Sequence, residues 1–302
     1  YTREDIIAEC IITERDYCQD LKLLIDVFKT PLSEQGILTE KEFYLLFSNV
    51  HEIYELSLRL RKDFENVSDC IGPAYSRNAK NFIVYTTYCS FHCERVELLD
   101  KLMKTNKKFK QFIDNCHQNE LLRGLFIQSY LIKPMGRVCK YPLLLRELIK
   151  YTPEDHPDYQ PLELSLTSFQ FIVNQINEKS RDNESRQKVK EISLTLKGYS
   201  KTLITPERRF RSVFQVRIEG RDKKKYYDFL IFNDIILITR KISEKNIKYI
   251  GTIDLFQMNL TTLDDLKSII EDNKTKLTII HVNQQEQKRD TATLKLAKKK
   301  LL

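Results

Sequence analysis

The sequence predicts a mainly α-helical protein with a C-terminal β domain. At 302 residues, the chain is longer than most single compact domains. Up to about residue 190 apolar side chains recur at helical spacing, and short segments rich in β-branched and aromatic residues follow. Charge changes near the same place: residues 1–185 hold 24 Lys and Arg against 28 Asp and Glu, whereas residues 186–302 hold 26 against 14. A basic module of this kind is typical of proteins that meet an anionic surface.

Three helical segments are predicted in the first half of the chain. Apolar residues keep a helical stripe through residues 4–29 and again through residues 79–103. Between these segments, Thr39 and Glu42 have the spacing of a capping box, which predicts the start of a helix.

The segment 130–148, "YLIKPMGRVCKYPLLLREL", predicts a further helix. Pro134 fits the first turn, where a missing N–H is harmless, and Pro142 lies deeper, where it is expected to kink the helix. The turn-rich stretch 151–159 then connects it to the next helix.

A long helix is predicted from about residue 160. Its apolar stripe begins at Leu162 and vanishes in "NEKSRDNESRQK" at 177–188. A helix that loses its apolar face partway is leaving the bundle that it packs in. We therefore place the domain boundary between 180 and 200, and predict domains at 1–190 and 191–302.

Short β-type segments separated by polar turns predict a small antiparallel barrel or sandwich in the second domain. The predicted strands are 210–218, 226–232, 235–241, 248–255 and 276–282.

Motifs of several enzyme classes are missing. The chain has seven glycines and contains no G-x-x-x-x-G-K-[ST], G-x-G-x-x-G, G-x-S-x-G or H-E-x-x-H motif. Seven cysteines at irregular spacing are typical of reduced thiols and not of a disulfide framework. One group could ligate zinc, although small buried thiols are the alternative that we favour: Cys89, His92, Cys93, Cys116 and His117.

Charged residues interrupt two helices that are otherwise patterned for a core. Glu14 lies within the apolar stripe of the first helix, and Lys133, Arg137 and Lys140 stand at i, i+4 and i+7 on another helix. Either these residues pair with each other or are solvated, or they form a surface for a partner protein that presents charged and polar loops.

Four segments carry a resemblance to a known family. "IIAECIITERDYCQDL" (6–21), "FIVYTTYC" (82–89) and "YLIKPMGRVCKYPLLLRELIKYTPEDHPDY" (130–159) resemble the three conserved regions of the Dbl-homology (DH) domain of Rho guanine-nucleotide exchange factors. "DFLIFNDIILITRK" (228–241) resembles the third and fourth strands of the pleckstrin-homology (PH) domain that almost always follows.

The resemblance implies an elongated helical bundle, followed by a PH antiparallel barrel, that binds a GTPase of the Rac, Cdc42 or Rho type and releases GDP. It implies no covalent chemistry, metal or cofactor. In the family, a glutamate of the first region contacts switch 1, and a lysine of the third region and an asparagine of the last helix contact switch 2. These positions fall on Glu14, Lys140 and Asn177. Lys133 and Arg137 beside them are then supporting or packing residues of the GTPase surface.

Two further positions bear on GTPase binding. Gly136 stands where the family usually has Gln, and a Gly inside a helix costs roughly 0.5–1 kcal/mol relative to Ala. Its missing side chain is expected to weaken exchange or to alter the choice of GTPase. Ile132 falls where the family discriminates among GTPases with an aliphatic residue, and an Ile there leans towards Rac-like partners.

The second domain has a basic run between its first two predicted strands: Arg217, Arg221, Lys223, Lys224 and Lys225. In PH domains this loop binds phosphoinositide headgroups, and each basic residue near an anionic membrane contributes about 1 kcal/mol. Lipid contact by this run and simple solvation of it are both open.

These observations predict an exchange factor that is cytoplasmic and peripherally recruited to a membrane. The sequence shows no signal-peptide pattern and no apolar run of the length of a membrane span. The alternative is a scaffold with this fold and little or autoinhibited exchange activity. We expect no nucleic acid partner, because the basic region lacks a recognition-helix motif or an RNA-stacking signature.

Overall fold

The structure, a computed structural model, describes residues 2–65, 67, 69–217 and 226–255. The chain divides into two compact units, unit 1 (Tyr1–Arg181) and unit 2, which begins at Asp182. This division falls within the predicted interval of 180–200 and earlier than residue 190.

Unit 1 is helical in the residues that the structure describes. Its helices are α1 (Arg3–Leu23), α2 (Thr30–Gln35), α3 (Glu40–Phe47), α4 (Val50–Phe64), α5 (Gly72–Asn78), α6 (Val84–Ser90), α7 (His92–Thr105), α8 (Lys107–Cys116), α9 (Ile127–Leu131), α10 (Lys133–Lys150) and α11 (Tyr159–Thr195), which ends in unit 2. A π-helical segment at Leu24–Lys29 follows α1, and 3₁₀ segments lie at Ala79–Ile83 and Glu120–Leu122.

Local sequence explains where several helices begin. Thr39 and Glu42 form a capping box at the start of α3, as predicted, and Thr2 and Asp5 form a second one at the start of α1. Pro134 occupies the first turn of α10, also as predicted. Pro142 lies inside α10, which nevertheless continues to Lys150.

The predicted helix over 79–103 is divided at Phe91 into α6 and α7. The buried side chain of Arg95 helps to explain this break, because it donates to the backbone carbonyls of Tyr88 (3.0 Å) and Leu46 (2.8 Å). These carbonyls lie near the ends of α6 and α3, where helices leave acceptors without intrahelical partners.

An aromatic cluster in the core of unit 1 positions α10 against its neighbours. The ring of Tyr141 on α10 lies 4.9 Å from that of Phe82 and 5.1 Å from that of Phe169 on α11, and Phe82 and Phe169 are 4.6 Å apart. Tyr75 and Tyr85 complete the cluster, and all five side chains are almost completely buried. Such packing fixes the rotation of α10, and hence which of its residues face outward.

Unit 2 contains a five-stranded sheet of β1 (Leu196–Lys197), β2 (Phe210–Arg217), β3 (Tyr226–Phe232), β4 (Ile235–Ser243) and β5 (Asn246–Asp254), in the order β1-β5-β4-β3-β2. β1 pairs with β5 in parallel and the other pairs are antiparallel. The last turns of α11 pack on this sheet through Val189 and Ile192.

Four of the predicted strands correspond to β2–β5, whereas the two-residue strand β1 was not predicted. The predicted strand at 276–282 lies outside the described residues. Within the part of the chain that the structure describes, the sheet is open, with β1 and β2 at its edges.

Candidate functional site

The junction between α1 and α10 is built around two ion pairs. The Lys133 ammonium lies 2.7 Å from the Asp20 carboxylate, and the Arg137 guanidinium lies 2.6 Å from the Glu14 carboxylate. From the first pair to the second, the residue number rises along α10, from Lys133 to Arg137, and falls along α1, from Asp20 to Glu14. The two helices therefore run antiparallel. Two of the three cations in the predicted row are therefore paired with carboxylates of α1.

The Glu14 carboxylate is completely buried and is bonded on both oxygens. Oε2 accepts hydrogen bonds from Arg137 Nε (3.1 Å), Arg137 Nη2 (2.6 Å) and the Tyr141 hydroxyl (2.7 Å). Oε1 accepts a hydrogen bond from the Ser57 hydroxyl. A buried charge is tolerated only when it is paired and hydrogen-bonded in this way.

Electrostatics keep Arg137 charged in this interior position. Burial by itself would lower the pKa of the Arg137 guanidinium, but the adjacent Tyr141 and Glu14 side chains more than offset this, so its pKa is raised. Burial, and then the Glu14 charge, raise the pKa of the Tyr141 hydroxyl, which therefore stays protonated as a donor.

The position of Glu14 decides between the two alternatives that the sequence left open, because Glu14 pairs with Arg137 in the interior and is not an exposed contact residue. The carboxylate is completely buried, and its partners come from two neighbouring helices, Ser57 from α4 and Arg137 and Tyr141 from α10. The sequence contained a signal for this outcome, because Glu14 lies on the same stripe as the buried residues Cys10, Tyr17 and Leu21. A carboxylate at a core position requires a buried cation, and Arg137 is that cation.

Lys140 differs from the other two cations of the row. Its side chain is exposed, and among the described residues it has no hydrogen bond or ion pair. Gly136 is exposed one turn earlier on α10, and Ile132, just before α10, is 50% exposed. Asn177 is exposed on α11, directly after the buried Ile176.

One acidic residue at this junction was missed in the sequence. Glu9 is exposed on α1, one turn before Thr13, whose hydroxyl donates to the Glu9 carbonyl (2.7 Å) and accepts from Arg137 Nη1 (2.9 Å). Glu9 therefore lies on the edge of α1 that faces α10. Its i, i+4 relation to Thr13 was visible in the sequence, but the contact between Thr13 and Arg137 was not.

Comparison with known families identifies the helical unit. The pattern of the RhoGEF domain matches residues 6–177, which is more than half of the chain. The chain belongs to the RhoGEF family. The whole of α10, and α1 from residue 6 onward, lie within the part that matches the RhoGEF domain.

Curated relatives of this RhoGEF chain are much longer than the chain itself. It is 32% identical over 246 residues to the myosin-M heavy chain of Dictyostelium discoideum, and the matched region covers 78% of this chain and 14% of that protein. It is 26% identical over 282 residues to human Rho guanine nucleotide exchange factor 9, and the matched region covers 87% of this chain and 53% of that protein.

Solved structures of similar fold are DH/PH tandems. The RhoGEF chain matches a DH/PH fragment of PDZRHOGEF, crystallised in complex with human RhoA, with a TM-score of 0.74 and 20% identity over 84% of this chain and 79% of that one. It also matches the linker-DH/PH domains of p115-RhoGEF with a TM-score of 0.71 and 19% identity over 84% of this chain and 83% of that one. These likenesses support a helical DH fold followed by a sheet region.

The candidate zinc ligands, for which small buried thiols were the favoured alternative, are not brought together in the described part of this RhoGEF chain. Cys89 is buried and Cys93 is exposed, and the group with ligand atoms close enough to share an ion is a different one: Asp69, Cys70 and His156. In that group His156 Nε2 lies 2.9 Å from Asp69, and His156 Nδ1 accepts the Asp158 N–H (3.1 Å). Since Nδ1 is an acceptor, neutral His156 carries its proton on Nε2 and donates it to Asp69.

The predicted lipid-binding run falls largely outside the described residues. This is true of Arg221 and Lys223–Lys225, and for Arg217 only the backbone, at the end of β2, is described. Among the described residues, no helix combines the length and the apolar character that a bilayer span requires.

Proposed function

We propose that this chain accelerates the release of GDP from a Rho-family GTPase, and that the edge of the α1–α10 junction is the surface that the GTPase contacts. The observation that carries this proposal is the exposed Lys140, which has no ion pair among the described residues, whereas Lys133 and Arg137 of the same row are paired with carboxylates of α1. On a RhoGEF domain, a cation left without a carboxylate is available to a partner that supplies one.

Each residue of the surface has a separate role in this proposal. Lys140 and Asn177 contact the switch regions of the GTPase, and Glu9 provides the exposed carboxylate of α1. Glu14 and Arg137 do not contact the partner, because both are buried. They are positioning residues that hold α1 and α10 in register, so that Glu9 and Lys140 are presented together.

The mechanism requires no covalent chemistry. Bound nucleotide and Mg²⁺ hold the GTPase switches in one arrangement, and an exchange factor that binds a different arrangement lowers the affinity for both. By reciprocity, the factor binds the nucleotide-free GTPase tightly, and incoming GTP displaces it.

The partner class is proposed from the relatives and from one residue. The structural neighbour PDZRHOGEF was crystallised with RhoA, which supports a Rho-family partner. The half-exposed Ile132 supports a Rac-like member of that family. A panel of Rho-, Rac- and Cdc42-type GTPases therefore has to be compared.

The test is the release of a fluorescent GDP analogue from each GTPase of the panel, with wild type, Lys140→Ala and Lys101→Ala. Lys101 is exposed on α7 and serves as a matched control for the loss of one surface cation. We expect acceleration on one or two GTPases, a loss of at least tenfold in Lys140→Ala, and no change in Lys101→Ala. Acceleration that is equal in all three proteins would remove Lys140 from the site.

The scaffold alternative is separated by a binding measurement. A chain that binds the nucleotide-free GTPase without accelerating release would be a scaffold or would be autoinhibited. Removal of residues 200–302 then distinguishes these two cases, because only an autoinhibited DH domain gains activity.

We also propose that unit 2 completes a PH barrel and contacts an anionic membrane through the basic residues at 217–225. Their charge and the DH/PH neighbours support this proposal. Co-sedimentation with phosphoinositide-containing vesicles, compared with neutral vesicles, tests it, and equal binding to both would overturn it.

A further inference from the structure

A groove in unit 1, which we call the α8 groove, is lined by residues that have no role in the proposed function. Its volume is about 670 Å³, and sites for small molecules typically measure about 300–1,000 Å³. One wall is formed by Val27 of the π-helical segment, Gln35 at the end of α2 and Ile37 after it. The other wall is one face of α8, with residues at helical spacing: Lys108, Gln111, Phe112, Asn115 and Cys116.

The two walls of the α8 groove are joined near both ends of α8. Asn106, just before this helix, donates from its side chain to the Ile37 carbonyl (3.3 Å), and the Cys116 thiol donates to the Val27 carbonyl (3.7 Å). Val27 belongs to a π-helical turn, a rare conformation that is frequently found at functional sites. The groove is therefore present before a ligand binds, which lowers the entropic cost of binding.

The lining of the α8 groove suits a ligand with hydroxyl groups. It contains four carboxamides, each of which both donates and accepts hydrogen bonds, as a hydroxyl does: Gln35, Gln111, Asn115 and Asn119. The first three are exposed and have no side-chain hydrogen bond to another described residue. Asn119 uses its Oδ1 to accept the Leu121 N–H (3.0 Å), which leaves its Nδ2 as a donor. Half-buried Val27, Ile37 and Phe112 offer apolar contact to the C–H groups of such a ligand.

The charge beside the α8 groove is positive, although residues 1–185 hold 28 acidic against 24 basic side chains. Residues 101–110, "KLMKTNKKFK", contain five lysines and no acidic residue. Lys107 and Lys108 begin α8, are exposed, and have no ion pair among the described residues. Since the N-terminus of a helix carries a partial positive charge, two cations there are repelled by it, and a bound anion removes this repulsion.

We propose that the α8 groove binds a phosphorylated polyol, such as an inositol phosphate, free in solution or as the headgroup of a lipid. Lys108 and the start of α8 hold a phosphate group, because a charge-assisted hydrogen bond to an ammonium is the strongest contact that this lining offers. Gln111, Asn115 and Gln35 bind the hydroxyl groups. This site is independent of GTPase binding, since it shares no residue with the α1–α10 junction.

The lining argues against two other classes of ligand. No carboxylate is among the described residues that line the groove, so a divalent cation lacks the oxygen ligands that it requires. A wholly apolar ligand would bury Lys108 and four carboxamides without hydrogen bonds, which is unfavourable.

The experiment uses Cys116 as a local reporter of the α8 groove, because it lines the groove and all seven cysteines of the chain lie at or before Cys139. A ligand held by the basic residues at 217–225 therefore leaves the labelling of Cys116 unchanged. Iodoacetamide labelling is followed by peptide mass spectrometry, at about pH 8.5 because burial raises the pKa of the Cys116 thiol. The exposed Cys139, which does not line the groove, is the internal control.

The probes are inositol 1,4,5-trisphosphate, myo-inositol and inorganic phosphate. We expect the trisphosphate to protect Cys116 at least fivefold at saturation and not to protect Cys139. Inositol without phosphate and phosphate without inositol should each require at least tenfold higher concentrations. Hydrogen exchange of residues 107–119, measured with the same probes, is a second local readout that does not depend on thiol reactivity.

Three variants test the residues of the α8 groove. The concentration of trisphosphate that gives half-maximal protection should rise at least fivefold in Lys108→Gln and about threefold in Asn115→Leu. It should stay unchanged in Lys80→Gln, which removes an exposed lysine that does not line the groove. All three positions are exposed, so the fold is expected to be preserved, and thermal unfolding verifies this.

The outcomes decide the proposal directly. If the trisphosphate changes neither Cys116 labelling nor hydrogen exchange of residues 107–119, or if Lys108→Gln responds like wild type, the site is wrong. If inorganic phosphate is as effective as the trisphosphate, the carboxamides do not select a polyol and the ligand class is wrong.

Two further arms distinguish the source of the ligand. Vesicles of phosphatidylcholine with phosphatidylinositol 4,5-bisphosphate are compared with vesicles of phosphatidylcholine alone. Protection of Cys116 by the first kind of vesicle as well as by the soluble trisphosphate would support a lipid headgroup. Protection by the soluble probe alone would support a free phosphorylated polyol.

Discussion

The interior and the edge of the α1–α10 junction contain the same kinds of charged side chain, which have different roles in the two places. Arg137 is buried and bonded to Glu14 and Thr13, whereas Lys140, three residues later, is exposed and has no ion pair among the described residues. Sequence spacing put both on one row, and the direction of each side chain from the helix axis separated them. A buried ion pair indicates a structural role, and an exposed cation on a family-matched surface indicates a binding role.

The strongest test of this comparison is removal of one partner of the buried pair. Arg137→Ala leaves the Glu14 carboxylate buried without its cation, and we expect a loss of about 3–5 kcal/mol in the free energy of unfolding. Urea unfolding followed by circular dichroism measures this quantity. The double variant Glu14→Leu/Arg137→Met, which removes both charges, should recover much of the loss. A loss below about 1 kcal/mol in Arg137→Ala would mean that the pair does not organise the junction.

Thiol reactivity compares the same two environments with a chemical probe. Burial raises the pKa of the Cys18 thiol to about 11, which reduces its thiolate fraction at pH 8 roughly 100-fold relative to an ordinary cysteine. Cys139 is exposed on α10, although partial burial of its thiol raises the pKa of this group as well. Iodoacetamide labelling followed by peptide mass spectrometry should modify Cys139 well before Cys18. Labelling of Cys18 at the same rate would show that the α1 face opens in solution.

The exposed carboxylate of Glu9, on the edge of α1 that faces α10, provides a test of smaller size. Glu9→Ala should reduce GDP release roughly tenfold and leave the free energy of unfolding within about 0.5 kcal/mol of wild type, because Glu9 is exposed. The matched variant Ala8→Ser changes the neighbouring exposed position and should alter neither quantity. If Glu9→Ala destabilised the chain as strongly as Arg137→Ala, Glu9 would belong to the structural network and not to the surface.

The smallest expected effect concerns an exposed carboxylate elsewhere in unit 1. A hydrogen bond from His156, and then the Arg3 charge, hold the pKa of Asp69 below its ordinary value of 3.8, against a partial opposing effect of burial. A carboxyl group with a lowered folded pKa stabilises the fold above its unfolded pKa, and the stabilisation is lost as the pH falls through the folded pKa. Asp69→Asn should therefore lower the unfolding temperature slightly at pH 6 and by less at pH 2.5. An equal difference at both pH values would contradict the assignment.

Particular residues show which features of the structure could be predicted from the sequence. The capping box at Thr39, the position of Pro134 and the course of α11 followed from local patterns, because they depend on contacts within a few residues. The strand β1 was missed, since it has two residues and is defined by its pairing with β5, far along the chain. The placement of Glu14 on the surface was wrong for the same reason. Its burial depends on contacts with Ser57 and Arg137, which lie 43 and 123 residues away in the chain.

The sequence by itself determined the family, the helical first unit and the strand-rich second one, because periodicity and motif spacing are local properties. Tertiary structure alone decided which charges of α10 are paired, which carboxylates of α1 are exposed, and that Gly136 faces open space. These depend on the rotation of α10 about its axis, which is fixed by the packing of Tyr141 against Phe82 and Phe169. Because that packing joins residues from distant parts of the chain, no local pattern encodes it.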